Sequence, residues 1–454
     1  MMKVEVVSKE SIKSSCPTPH HLKFFNLSFL DQLAPPIYAN AVLYYCQNEN
    51  AKKIADTDVH RSVMKKSLAE TLIKFYPLAG KIIDDKFMVD CNDEGADYIE
   101  TKVSNCQLSQ LIQHPNVHEL VKKFIPSDPY STGTSPKKVP LLVQVNFFED
   151  CGGIVIGLRI SHKLADAASL TTFVNDWATV ARGIATDDHD RQIEGPSFEW
   201  QSLFPPRDLM GFIPTTLIEG DEVLVTKKFV FGASKLAELR AKSIIVKESD
   251  DVPDQYQPTR VEVLSAFLWK CFIDIDQAKN KGGAQLKVYL ATHTVNMRSR
   301  MVPSLPTNSF GNVLGISAAS IIMNNEGTVK NDQYSHPDLV GKIRDSIKKV
   351  DADYVREIRT TDAQLDAFKL LSENCASGLA LMLNFSSWCR FPIYEADFGW
   401  GKPTWVSTGE LAMKNMVMLM DTSSGDGIEA WIHLGTEDMA KFERHEELLA
   451  LILN

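Results

Sequence analysis

Apolar residues at Leu141, Val143, Val145 and Phe147 alternate with less apolar neighbours, which predicts a strand. A second run, Ile154, Ile156, Leu158 and Ile160, alternates with Val155, Gly157 and Arg159 and predicts a strand buried on at least one face. A turn over residues 149–153 joins the two. Shorter strands are expected over residues 4–7 and 41–46, and a hairpin tip at Asp84-Asp85 leads into residues 87–91. Tyr38, just before one of these strands, is expected on a surface or cleft wall. Helical spacing appears over residues 58–76, with Asp58 as cap and Val59, Val63, Leu68, Leu72 and Phe75 as a stripe that Pro77 ends. Residues 169–182 repeat the pattern through Leu170, Phe173, Val174, Trp177 and Val180, with Gly183 as the stop.

The pattern changes between residues 184 and 226. The charge run from Asp187 to Arg191 is followed by Pro196, Pro205, Pro206 and Pro214, which predicts a crossover linker. Beyond it come a strand over 224–231 and a helix over 234–242. Thr259-x-x-Glu262 is a capping box opening a helix whose buried face carries Val261, Leu264, Leu268, Cys271 and Ile275. Gly282-Gly283 marks a turn before a strand over 288–296, and Phe310 looks exposed in a proline-containing segment over 305–312. One helix is expected over 335–356. Paired strands over 417–420 and 428–434 and a closing helix through Met439, Phe442, Leu449 and Ile452 complete the chain. Strands and helices interleave in both halves, so the class is mixed α/β.

With 454 residues, two domains are the natural division. The boundaries follow the linker: an N-terminal domain over 1–195, a crossover over 196–223 and a C-terminal domain over 224–454. The apolar share of 44% and charged share of 23% are those of a soluble globular protein, and a net charge of −10 argues against nucleic acid as a partner. The 8 cysteines are scattered, with no Cys-x-x-Cys pair and no zinc-site spacing, so buried reduced thiols and no metal are expected. The N-terminus shows no apolar signal core, and no apolar run reaches the roughly 18 residues of a membrane span. The cytosol is the expected compartment.

His162 falls where its strand stops, with Asp166 four residues on. Imidazole titrates near neutral pH and can serve there as a general base. Spacing leaves open whether Asp166 orients the ring or braces the loop. Alone, His-x-x-x-Asp is weak, because a strand-end histidine before a helix-capping aspartate is an ordinary structural arrangement.

Taken together, four stretches resemble the plant BAHD acyltransferases. They are Tyr76-Pro77-Leu78-Ala79-Gly80, His162-x-x-x-Asp166, Asn296-Met297-Arg298-Ser299-Arg300 continuing to Phe310-Gly311-Asn312, and Asp397-Phe398-Gly399-Trp400-Gly401. Their order spans nearly the whole chain, and the last pentapeptide is very specific. The resemblance implies an α/β fold of two chloramphenicol-acetyltransferase-like domains with a solvent channel between them. It implies that His162 deprotonates an acceptor hydroxyl or amine, which attacks an acyl-coenzyme A thioester directly in a ternary complex. Asp166 would turn away and pair with Arg298. Asp397, Gly399 and Gly401 would form a structural loop away from the histidine. Thr259, at a helix N-terminus, is a coenzyme A contact in this reading. Tyr38, Phe310, Asn312, Ser386 and Trp388 are candidate channel-wall residues. Ala167 stands where the family usually has glycine.

The runs over 161–166 and 388–397 look most like the alkaloid-acetylating branch. That implies acetyl-coenzyme A as co-substrate, no permanently bound cofactor, a hydroxyl of a monoterpene indole alkaloid as acceptor, and a monomer. Other acceptors in view are a phenolic, a terpene alcohol or an amine. Outside that class stand a non-catalytic ligand-binding relative and a thioester hydrolase.

Overall fold

The computed structural model describes residues 2–46, 57–83, 86–114, 117–127, 139–186, 193–209, 222–243, 245–247, 254–279, 286–324, 327–328 and 334–452. The Asp84-Asp85 tip, the charge run from Asp187 to Arg191, Pro214 and the Gly282-Gly283 turn lie outside these residues. The chain forms two compact units. One comprises Met1–Pro214, Pro306–Val313 and Phe391–Glu410, and the other Thr215–Leu305, Leu314–Arg390 and Leu411–Asn454. A division into consecutive domains therefore misplaces two stretches. Phe310 and Asn312, and the whole Asp397–Gly401 pentapeptide, belong with the N-terminal unit.

The first unit is built on a six-stranded mixed sheet, in the order Lys3–Ile12, Ala96–Ser104, Leu141–Phe148, Ile154–Ser161, Tyr38–Tyr45 and Trp405–Ser407. Only the Ala96–Ser104 and Leu141–Phe148 pair is parallel. The two central strands are buried at all eight positions each. Both faces are covered, which explains the nearly continuous apolar runs. Helices Thr57–Lys74 and Ala167–Thr186 pack together, and Trp177 Nε1 donates to Ser67 Oγ at 3.0 Å across their contact. Gly183 is buried within the second of these helices and does not end it. Asp58 lies inside the first turn of the other, paired with Arg61 at 3.1 Å. Tyr38 is a strand residue only 4% exposed, its hydroxyl donating to the Val139 carbonyl at 2.8 Å, so it does not lie on the open surface.

The second unit carries a seven-stranded sheet in the order Gly327–Thr328, Leu314–Asn324, Lys287–Asn296, Ala380–Ser387, Met416–Asp421, Ile428–Gly435 and Leu224–Phe231. Its core gathers on Arg260–Lys279, a helix with twelve buried residues. The strand Leu314–Asn324 was not anticipated. Its inward positions include Gly315, Ser317 and Ala319, whose small side chains give little apolar signal. The single helix expected over 335–356 is two, His336–Lys348 and Ala352–Thr360, because Asp351 is extended and caps the second by accepting the N–H groups of Asp353 and Tyr354. The closing helix is likewise split into Thr436–Phe442 and Glu446–Ile452. Only Cys91 and Cys271 are fully buried thiols; five others are half-buried and Cys16 is exposed. Among the described residues no helix is long and apolar enough to cross a membrane, and no cluster of His, Cys, Asp and Glu could hold a metal.

Candidate active site

The Ile154–Ser161 strand ends against Tyr38–Tyr45, with Ser161 opposite Tyr38. The backbone N–H of His162 extends that pairing by donating to the Ile37 carbonyl at 2.9 Å. The half-buried imidazole thus follows directly on the end of a central, doubly paired strand, which fixes its backbone. Next to it, the Lys163 ammonium is 9% exposed and donates to the Gln32 carbonyl at 2.9 Å.

His162 Nδ1 lies 3.0 Å from Asn312 Oδ1. The Asn312 amide nitrogen is committed elsewhere, donating to the His162 carbonyl at 2.7 Å and to Asp31 Oδ1 at 2.8 Å. Its oxygen is therefore an acceptor, Nδ1 carries the proton, and Nε2 is left with the lone pair. Asp31 is fully buried. Its Oδ1 also accepts the Asn312 backbone N–H at 2.9 Å, and its Oδ2 accepts the Ser28 N–H and hydroxyl at 2.9 and 2.7 Å. Burial pushes the Asp31 pKa up, and these hydrogen bonds pull against that rise.

Asp166, also fully buried, is the N-cap of the helix that follows. One oxygen accepts the Ser169 N–H at 2.8 Å and the other the Val313 N–H at 3.2 Å. It ties the histidine loop to the backbone beside Asn312. The intervening Gly311 exchanges bonds with Ser169: its N–H donates to Ser169 Oγ at 2.9 Å, and its carbonyl accepts from that hydroxyl at 3.1 Å. Gly311 has φ +138°, and a Cβ there would lie 2.3 Å from Trp200 Cζ2. Phe310 is 1% exposed among the rings of Phe75 and Phe198, so it is core and not an exposed wall residue. Trp200 Nε1 donates to its carbonyl at 2.7 Å.

The Asp397 pentapeptide forms a closed turn. Asp397 Oδ1 accepts the N–H groups of Gly399 and Gly401, both at 2.9 Å, and both glycines have φ near the left-handed side, +107° and +106°. Phe398 is fully buried, edge-on to Trp177 with centroids 5.0 Å apart. Arg182 reaches Asp397 at 3.4 Å. Arg182 and Asp166 are 16 residues apart on one helix, which at the α-helical rise is roughly 24 Å. The loop therefore braces the far end of the helix that Asp166 caps.

The remaining candidates lie in the second unit. Thr259 caps its helix as expected, accepting the Glu262 N–H at 3.1 Å while the Glu262 carboxylate accepts the Thr259 N–H at 2.7 Å. That carboxylate already occupies part of the helix N-terminus and opposes a phosphate there. Arg298 is 4% exposed on a short turn and donates to Asn296 Oδ1 through its backbone N–H at 3.0 Å and Nη1 at 3.2 Å. Ser386 is half-buried opposite Met418, and Trp388 is 4% exposed with its N–H on the Leu419 carbonyl. Asp31 was missed among the candidates, although Ser28-x-x-Asp31 is a capping-box spacing visible in the sequence.

The model of the Transferase family matches residues 2–449. A limonoid 21-O-acetyltransferase of Melia azedarach is 35% identical over 99% of this chain and 98% of its own. Stemmadenine O-acetyltransferase of Catharanthus roseus is 36% identical over 96% and 95%. The crystal structure of vinorine synthase, known from Rauvolfia serpentina, is similar with a TM-score of 0.80 and 36% identity, covering 99% of this chain and 98% of that one.

Proposed function

Since the chain belongs to the plant BAHD branch of the Transferase family, whose members use coenzyme A thioesters, we propose that His162 is the general base of an O-acetyl transfer. The observation that carries this is the Asn312 amide: it holds the Nδ1 proton and leaves Nε2 free to accept one. In this reading Nε2 takes the acceptor hydroxyl proton as its oxygen attacks the thioester carbonyl of acetyl-coenzyme A. The tetrahedral adduct collapses by breaking the carbon–sulfur bond, and the imidazolium returns its proton to the departing thiolate. The products are an ester and free coenzyme A, with no acyl-enzyme. Asp166 and Asn312 position the base, and the Asp397 loop supports the helix behind it.

The acceptor we infer is a hydroxyl on a monoterpene indole alkaloid. The runs over 161–166 and 388–397 support this, together with the stemmadenine O-acetyltransferase relative. A terpene alcohol is the second reading, favoured by the limonoid O-acetyltransferase relative at 35% identity. We take the working form to be a cytosolic monomer. The test is acetyl transfer by purified protein from acetyl-coenzyme A to a panel of indole alkaloid alcohols, limonoid alcohols, phenolics and amines. Acetylated alkaloid is the expected product. Turnover confined to limonoids supports the second reading, and turnover confined to phenolics or amines overturns both.

A further inference from the structure

We propose that Asp31 is a positioning residue for acyl transfer: its buried carboxylate fixes the amide of Asn312 and, through it, the proton on His162 Nδ1. The inference rests on the reading of His162 as the base. A carboxylate accepts and cannot donate, so the side of Asn312 facing Asp31 must be its NH₂ group. Two bonds enforce this on one oxygen, from the Asn312 backbone N–H at 2.9 Å and its side-chain nitrogen at 2.8 Å. The second amide hydrogen then reaches the His162 carbonyl at 2.7 Å, and the amide oxygen faces Nδ1 at 3.0 Å. The other Asp31 oxygen serves Ser28 alone, in the cap of a five-residue helix. Local capping and the reach to Asn312 thus use different oxygens and can be perturbed separately.

An amide at position 31 cannot accept on both oxygens. Either its NH₂ opposes the Asn312 donors and favours the flipped Asn312 amide, or it opposes the Ser28 N–H and unwinds the cap. In the first case Nδ1 becomes an acceptor, the ring proton moves to Nε2, and the base is lost.

The test compares Asp31→Asn, Ser28→Ala and His162→Ala by steady-state kinetics and by ¹⁵N NMR of histidine-labelled protein at a pH where the ring is neutral. The His162 signals are assigned by their absence in His162→Ala. Wild type is expected to show a protonated Nδ1 and a bare Nε2. Asp31→Asn is expected to shift this balance towards Nε2–H and to lower kcat about 10- to 100-fold, with KM held within about 3-fold. Ser28→Ala is expected to lower the Tm while keeping the wild-type tautomer and kcat. A folded Asp31→Asn with unchanged tautomer, kcat and Tm overturns the proposal; where only its Tm falls, the amide oxygen still faces Asn312, and Asp31→Ala, which removes both acceptors, decides by the same readouts. Should Asp31→Asn not fold, Asp31→Ala serves instead: loss of the Nδ1–H preference with Asn312 still in place supports the proposal and its retention overturns it. Activity retained in His162→Ala instead removes the base itself, an outcome separate from the Asp31 result.

Discussion

Two fully buried carboxylates, Asp31 and Asp166, flank the histidine loop, and each is held by backbone N–H groups. Their work differs. Asp31 acts on the Asn312 amide. Asp166 acts on the chain path, capping the Ala167–Thr186 helix and holding the Val313 N–H. Removing the Asp166 carboxylate by Asp166→Ala leaves two buried N–H groups without that acceptor. It is expected to cost about 1–3 kcal/mol of stability by denaturant unfolding, and to lower kcat through a displaced Asn312. The histidine and its aspartate were legible because strand periodicity delivers His162 to a strand end. Asp31 was not, because its decisive partner lies 281 residues away in sequence. Phe310 and Tyr38 were misread because proline and polar neighbours suggest exposure, whereas long-range packing buries them both.

At the scale of elements, the Ala167–Thr186 helix links the histidine loop at one end to the Asp397 turn at the other. On its buried face Trp177 stacks on Phe173 and meets Phe398 of the turn edge-on. The turn is closed by one carboxylate oxygen accepting two glycine N–H groups. Asp397→Ala is expected to open the turn, costing about 1–3 kcal/mol and lowering the Tm, while the substrate KM changes little. Calorimetry beside kinetics checks this, and a normal Tm with a raised KM would assign the loop to binding instead. Periodicity located the central strands and the Leu224–Phe231 strand to the residue or nearly so. It failed at helix ends set by caps, as at Asp351, and on the Leu314–Asn324 strand with its small inward residues. The turn was legible as a motif, but its membership in the first unit is a matter of tertiary contacts.

At the scale of the molecule, acid stability depends on buried titratable groups, chief among them a histidine of the second unit. His293 is fully buried there, stacked on Phe385 at 4.7 Å, with neither ring nitrogen hydrogen-bonded, and burial pushes its pKa down to about 3. A folded pKa below the ordinary value of 6.5 means that the unfolded chain binds the proton first. Stability is then full above 6.5 and is lost as pH falls towards 3. From pH 6.5 to 5 the loss is about 1–2 kcal/mol. His433, lowered to about 4 by burial, adds a loss of the same sign. Asp176 acts oppositely: burial and then Glu194 push it up to about 6, so it adds stability as pH falls from there towards 3.8. His293→Leu leaves those two groups in place. Its unfolding free energy, measured against pH beside wild type, is expected to fall less steeply below pH 6.5; parallel curves would contradict the assignment. None of this was visible in the sequence, where His293 is an ordinary strand residue.

The base assignment is tested most directly by single-turnover acetyl transfer with saturating acetyl-coenzyme A and an accepted alcohol, comparing wild type with His162→Ala. A loss of about 10²-fold or more in the transfer step, with Tm and coenzyme A affinity retained, is the result expected for a general base. An unchanged transfer rate in the variant would show that the proton leaves by another route and that His162 is not the base.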